Sequence, residues 1–453
     1  MSSKRYYIKR AIGYFSRNGF RRTLYKSLER LAVDRSERSY TVITADEETL
    51  RAQREHRFAN PRSFSILVPV YETDPRLLRL TLDSVAGQTY GNWELIIADA
   101  SADGSRQDVV NDLIADHKAD DAGLSAKIRY IRVKENKGIS ANTNVALAEA
   151  SADYIALLDH DDILEKTALF DIMSAIENRD IKVVYTDEDK VSEDGSSYFD
   201  VNRKPDFDPV LLCTNNYICH FFVADTALVR SVGGFRSEYD GAQDHDLVLR
   251  CTKDLDREEI IHIPKVLYHW RSLKGSTAQD PSSKLYAYDA GKRAVEDYLN
   301  RCGIRAKVKD SPHMGFFELE YDRFEGGRDA FLIKISPDLA PLDPQNTEKM
   351  INVMQLPFVG VVTGKIIGTD NKVESAGYDI DDRGNKIASF SGLGRHFSGY
   401  MHRADLDRLT GAASPDCMVV RKDAVLQYDP DIKLRQGYYV YYYPRAVFRR
   451  KKK

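Results

Sequence analysis

The chain has 453 residues, 42% of them hydrophobic, which is enough for two or three domain cores and too much for a disordered chain. Its formal net charge of -3 gives no overall field that would draw it to nucleic acid. Five cysteines, Cys213, Cys219, Cys251, Cys302 and Cys417, are an odd, widely spaced set without a CxxC, which argues against a disulfide framework or zinc site and fits a reducing cytosol.

Residues 1–60 read as a charged helical leader. Its first thirty residues carry Lys4, Arg5, Lys9, Arg10, Arg17, Arg21, Arg22, Lys26 and Arg30 against a single acid, Glu29, and aromatic and apolar residues from Tyr6 to Leu31 recur at roughly helical spacing. The stretch suits packing on the main domain or lying on an anionic membrane surface. The last residues, Arg445, Arg449, Arg450 and Lys451 to Lys453, are also basic. No apolar run approaches the ~18 residues of a membrane span, and the basic start lacks the apolar centre of a signal peptide, so export is not expected.

From Ser63 strands alternate with helices. "SFSILVPVY", "NWELIIADAS", "KIRYIRV" and "DYIALLD" read as four strands, with "PRLLRLTLDSVAGQ" and "ISANTNVALAEA" as helices among them. Such alternation predicts a mainly parallel sheet with helices on both faces, an α/β class in which ligands bind beyond the carboxyl ends of the strands. The polar clusters fall at those ends. Asp159, Asp161 and Asp162 close the fourth strand in "LLDHDD". Capping of the following helix explains one of these aspartates but not three. A hard divalent cation, Mg²⁺ or Mn²⁺, explains the group, because it relieves the repulsion among the carboxylates. An EF-hand is excluded, since the loop lacks the required glycine and closing glutamate.

Asp99 ends the second strand before "ASADGS", where an acid can accept hydrogen bonds from a nucleoside, although an ordinary turn aspartate reads the same way. Pro69, Tyr71 and Glu72 end the first strand. "ENKGISANTN" offers a glycine turn, Lys137 and amides including Asn142 just before a helix, suited to an anion or a sugar. Farther on stand "YTDEDKV", "GGFRSEYDGAQDHDLVLR" with Asp244 and Asp246 opening a helix, and "HIPKVLYHWR" with His269 and Arg271.

In this order, "SILVPVY", "IIADASADGS", "NKGISANTN", "LLDHDD", "YTDEDKV", "GAQDHDLVLR" and "IPKVLYHWR…GSTA" resemble family 2 glycosyltransferases of the bacterial surface-polysaccharide, O-antigen and rhamnan branch over about residues 63–300. The resemblance implies a GT-A fold, a Rossmann-like α/β sheet, and an inverting mechanism. Glu72 and Asp99 would hold the nucleoside of a nucleotide-diphosphate sugar, with Pro69, Tyr71, Lys137, Asn142, Asp159 and Arg271 also lining the donor site. Asp159, Asp161 and His269 would serve a divalent metal, and Asp244 would be the general base. It also implies a growing glycan or lipid-linked acceptor, and a place on the inner face of the cytoplasmic membrane fits the basic ends. A second copy of the chain is a further candidate partner; nucleic acid is not. The organisation expected is a leader over 1–60, a transferase domain over 61–303 and a smaller, degenerate copy over 304–453.

That last expectation rests on short echoes: "YICHFFVADTALV" with "PDCMVVRKDAVL", and "HIPKVLYHWR" with "YYPRAVFRRK". Two other readings stay open from the residues alone. One is a DxD phosphohydrolase of the haloacid-dehalogenase type, whose motif normally follows the first strand rather than the fourth. The other is a sugar-binding or scaffold protein without catalysis, against which Asp159, Asp161, Asp244 and His269 stand together.

Overall fold

The computed structural model describes Ser27 and residues 40–117, 123–273, 285–428 and 432–452. The basic stretch before residue 40 that the sequence predicts to be helical, Ser27 apart, the "GSTA" segment and Lys453 lie outside the described residues. The chain divides into two compact units. The larger is built from described residues between 36 and 207 and between 216 and 298, the smaller from 208–215 and from residue 299 onward.

In the larger unit, α1 (Glu47–Glu55) is followed by β1 (Phe64–Val70), α2 (Pro75–Ala86), β2 (Trp93–Asp99), α3 (Ser105–Asp116), β3 (Ile128–Arg132), α4 (Ile139–Glu149) and β4 (Tyr154–Leu157). After these come β5 (Ile163–Leu164), α5 (Ala168–Ile176), β6 (Val183–Ser192), β7 (Tyr198–Asn202), β8 (Phe222–Asp225), α6 (Gln243–Thr252) and β9 (Ile260–Ser272). Local chemistry sets the ends. Asp74 accepts from the Arg76 N–H at 2.9 Å, Pro75 opens α2, and Gly87 ends it, while Leu78, Leu82 and Val85 recur on its buried face.

The sheet runs β3–β2–β1–β4–β8–β6–β9–β5, with β7 on β6. β3, β2, β1 and β4 are parallel, as are β6 and β9, whereas β8 runs antiparallel to both β4 and β6. Ile66, Val68, Leu95, Ile97 and Ala156 are fully or almost fully buried in one core with Leu78, Leu82 and Val110 of the covering helices. Burying each large aliphatic side chain there stabilises the fold by about 1.5–3 kcal/mol.

The smaller unit holds the hairpin β10 (Ala306–Asp310) and β11 (Phe317–Tyr321), then β12 (Phe331–Ile335), β13 (Leu339–Pro341), α7 (Asn346–Asn352), β14 (Val359–Ile367) and β15 (Val373–Ser375). Two short hairpins, β16 (Tyr378–Ile380) with β17 (Lys386–Ala388) and β20 (Val425–Gln427) with β21 (Lys433–Leu434), flank β18 (Arg408–Thr410) and β19 (Cys417–Arg421), and β22 (Tyr439–Arg450) comes last. Its sheet order is β12–β19–β14–β22–β13, with β15 on β14 and β18 on β22.

Apart from β18, which has no counterpart, this repeats the half-sheet β4–β8–β6–β9–β5 with β7 on β6. The senses agree as well: β12·β19, β19·β14 and β22·β13 are antiparallel and β14·β22 is parallel, as are β4·β8, β8·β6, β9·β5 and β6·β9 in turn. Between β19 and β22 no helix matching α6 occurs among the described residues.

Candidate active site

The site follows from strand direction. β1 and β4 are parallel and end side by side, so Pro69 and Leu158 lie at one edge of the sheet. β8 enters from that edge because it is antiparallel to β4, with Tyr154 opposite Asp225 and Ala156 opposite Val223. His220 stands just before β8 and Asp159 just after β4, and ligand atoms of the two lie within 4.8 Å of one another. An open cleft lies there, walled by the β1 and β4 ends, by Ile139 and Thr143 of α4, and by Asp159, Cys219, His220, Gln243 and Asp244.

Asp159, Asp162 and His220 each bring one ligand atom within 4.8 Å of the others. The Asp159 carboxylate and the His220 ring nitrogens make no hydrogen bond among the described residues, although His220 stacks on Tyr268 at 4.7 Å and 10°. Asp162 is fully buried; one oxygen accepts from the Tyr268 hydroxyl at 2.5 Å and the other from the Arg271 N–H at 2.7 Å. Burial, then the charges of Asp161 and Asp159, push its carboxyl well above the ordinary range. Burial likewise raises Asp161, with the Asp159 charge adding to it and the imidazole of His160, 3.8 Å away, opposing it. Two carboxyls resisting ionisation beside an unpartnered carboxylate and imidazole are the donor set a divalent cation stabilises. Helix capping is ruled out, since α5 begins only at Ala168, after β5.

Asp244 sits in the first turn of α6, where the helix dipole favours a carboxylate. One oxygen accepts from Asn216 Nδ2 at 2.8 Å and lies 3.6 Å from Cys219 Sγ. Burial and the nearby Asp244 charge hold the Cys219 thiol well above its usual pKa, so it stays protonated. Asp246, two residues on, is buried and ion-paired with Arg250 at 2.6 Å and with Arg236, which also reaches Asp297 at 2.7 Å. These pairs anchor the helix that presents Asp244.

The other predicted residues separate into three groups. Asp99 is fully buried, accepting from the Ser101 N–H at 2.8 Å and the Tyr130 hydroxyl, with Arg132 3.5 Å away. Beside it, Glu72 accepts from the Ala102 N–H at 2.8 Å, and the Tyr71 ring is 53% exposed. These three gather at the ends of β1 and β2. Only Pro69 of the first-strand set lines the cleft.

The glycine turn is not an open anion cradle. The Asp240 carboxylate already occupies the start of α4, accepting from the Ser140 N–H at 3.2 Å and filling the space over Gly138. Lys137 points to solvent, 3.4 Å from Glu135, and buried Asn142 donates to Asn136 Oδ1 at 2.9 Å to brace the turn. Gly138 has φ +96°, and any Cβ there would collide with Asp240. Gly138→Ala should therefore destabilise the protein by roughly 1–3 kcal/mol, read as a lower urea midpoint.

His269 and Arg271 lie in the sheet behind the cleft, which departs from the expected metal-ligand role of His269. His269 Nδ1 is 2.6 Å from Asp189 and Nε2 is 3.4 Å from Glu165. Arg271 donates from Nε to the Asp161 carbonyl at 2.7 Å and from Nη1 to the Glu193 carbonyl at 3.0 Å, so it shapes the aspartate loop from behind. Burial disfavours charge on His269, but the bonds to Asp189 and Glu165 outweigh it and push its pKa up to about 9. The charged form then contributes up to about 3 kcal/mol of stability, fully present below the unfolded pKa near 6.5 and lost as pH rises through about 9. Urea midpoints measured from pH 6 to 10 should fall across that window, and the fall should be absent in His269→Gln.

His220 is absent from the sequence-based set. Its signal was the antiparallel sense of β8, which alternation with helices does not reveal.

A profile described as Glycosyl transferase family 2 matches residues 65–232. An uncharacterised protein of Sinorhizobium fredii is 43% identical over 54% of this chain and 26% of its own length. The O-antigen biosynthesis protein RfbC of Myxococcus xanthus is 30% identical over 59% of this chain and 20% of its own. The chain thus spans about a quarter or less of these relatives. The Staphylococcus aureus TarS fragment 1–349 in complex with UDP-GlcNAc gives a TM-score of 0.39 at 17% identity, over 53% of this chain and 72% of that one, a likeness too distant to bear weight. Residues 65–232, which carry Asp99, Asp159 and His220, are a family 2 glycosyl transferase domain.

Proposed function

We propose that the chain is an inverting glycosyltransferase that moves a sugar from a nucleoside-diphosphate donor onto a hydroxyl of a growing surface glycan or lipid-linked acceptor. One observation carries the reading: a metal-competent carboxylate, Asp159, and a separately anchored carboxylate, Asp244, face the same cleft. Similarity to an O-antigen biosynthesis protein supports a glycan acceptor.

Asp159, beside Asp162, would hold a divalent cation, Mg²⁺ or Mn²⁺; Asp161, expected from the sequence as a ligand, is not part of that cluster. When bound, that cation supplies neutralisation of the charge developing on the departing diphosphate, so the leaving group needs no proton. Asp244 takes the proton of the acceptor hydroxyl as its oxygen attacks the anomeric carbon from the opposite side. Asn216 Nδ2 and the protonated Cys219 thiol aim the carboxylate and hold it in place before the acceptor arrives. One base and a single displacement invert the anomeric centre. Glu72, Asp99 and Tyr71, gathered at the ends of β1 and β2, would take the nucleoside.

The smaller unit we read as a non-catalytic half-copy. Where the larger sheet carries its aspartate loop, between β12 and β13, it has Ser336, Pro337 and Asp338. Arg450, near the end of β22, is paired with Asp416 at 2.7 Å and with Glu374. No helix among the described residues is long and apolar enough to cross a membrane; the basic residues near the start of the chain fit a peripheral association with anionic lipid, whereas Arg445 and Arg450 at the other end are ion-paired within the smaller unit, Arg445 with Asp407 at 2.6 Å and Arg450 with Asp416 at 2.7 Å.

A thermal-shift panel of uridine, guanosine and thymidine diphosphate sugars, with and without Mn²⁺, tests the reading. At least one donor should raise Tm, and more so with the metal. A panel without any shift would count against a nucleotide-sugar site.

A further inference from the structure

Two histidines compete for the metal, and the geometry separates them. His269 belongs to the pattern shared with the family, yet its ring is buried with both nitrogens facing carboxylates, Asp189 at 2.6 Å and Glu165 at 3.4 Å. Tyr198 lies edge-on to it at 4.8 Å, and Tyr40 donates to the second Asp189 oxygen at 2.7 Å. Turning this ring toward the cleft would leave two buried carboxylates without their partner.

His220 is placed the opposite way. It lines the cleft, and its ring nitrogens have no hydrogen bond among the described residues. Its ligand atom and that of Asp159, whose carboxylate is equally unpartnered, approach within 4.8 Å. Its ring is not loose. Tyr268 stacks on it at 4.7 Å and 10°, and the same tyrosine is pinned by its hydroxyl to Asp162 at 2.5 Å and to the Asp159 N–H at 3.3 Å. One tyrosine thus orients both groups, as a preorganised metal site requires.

We infer that His220, and not His269, is the nitrogen ligand of the divalent metal, in a mixed site with Asp159 that Tyr268 orients. The inference rests on the reading of this cleft as a metal-assisted transfer site. A mixed imidazole and carboxylate set suits Mn²⁺ better than Mg²⁺, which prefers oxygen ligands alone.

The test is Mn²⁺ titration of the full chain followed by electron paramagnetic resonance, with pulsed detection of nitrogen coupling to bound Mn²⁺. Wild type should bind Mn²⁺ and show an imidazole nitrogen. His220→Phe, which keeps an aromatic ring on Tyr268, should lose the nitrogen signal and bind Mn²⁺ at least about 10-fold more weakly. His269→Gln should retain the signal, with circular dichroism confirming that both variants are folded. A nitrogen signal that survives in His220→Phe, or no nitrogen on wild-type Mn²⁺, overturns the inference and leaves metal-assisted transfer standing. No Mn²⁺ bound to wild type overturns both.

Discussion

Asp244→Asn should lower kcat by about 10²–10⁴-fold while leaving donor affinity within a few-fold of wild type. The amide keeps the volume and the contact with Asn216, now on one side only, but cannot accept the acceptor proton. In the proposed assignment donor binding draws on Asp159 and on the ends of β1 and β2, so it has no reason to change. Fold is protected too, because α6 is anchored by Asp246 with Arg236 and Arg250 rather than by Asp244. The check is a steady-state split of kcat from donor KM, with calorimetric titration of the donor. Wild-type turnover, or loss of donor binding with kcat unchanged, would place the base elsewhere.

Asp159→Asn should cost on the order of 10³-fold in rate, the scale of several kcal/mol of lost charge stabilisation. It should also weaken Mn²⁺ binding, because the substitution removes the unpartnered carboxylate at the mouth of β4. Stability should hold or rise slightly: Asp159 makes no side-chain hydrogen bond among the described residues and opposes the ionisation of Asp161 and Asp162. A variant as stable as wild type yet inactive and metal-poor is the signature expected. Excess chelator should reproduce the rate loss in the wild-type protein.

Much of this arrangement was legible in the sequence because it is local. Apolar runs of strand length ending in acids give β1, β2 and β4 and put Asp99 and Asp159 at one edge of the sheet. Asp244 is readable in the same way, as a carboxylate opening a helix. What was not legible depends on partners far along the chain. His220 reaches the cleft only because β8 runs antiparallel between β4 and β6, and a strand's sense leaves no mark on its composition. The glycine turn before α4 reads as an anion site until Asp240, about a hundred residues later, is seen to fill it. His269 and Arg271 sit in a motif with conspicuous chemistry, yet the charges of Asp189, Glu165 and the aspartate loop use them as internal braces. In the smaller unit short echoes hinted at a repeat, and its strand order matches half of the larger sheet, with no helix matching α6 among the described residues.

Metal-assisted, inverting sugar transfer is proposed for the Asp159–Asp244 cleft and for no other part of the chain. The most direct test is to incubate wild type and the Asp159→Asn, Asp244→Asn double variant with a nucleotide sugar selected by thermal shift, Mn²⁺ and a glycan acceptor. Released nucleoside diphosphate and the anomeric configuration of the product are then followed by NMR. Wild type should release diphosphate and form a product of inverted configuration, and the double variant, with residues 304–453 intact, should do neither. A retained configuration, or metal-dependent transfer by the double variant, would contradict the account.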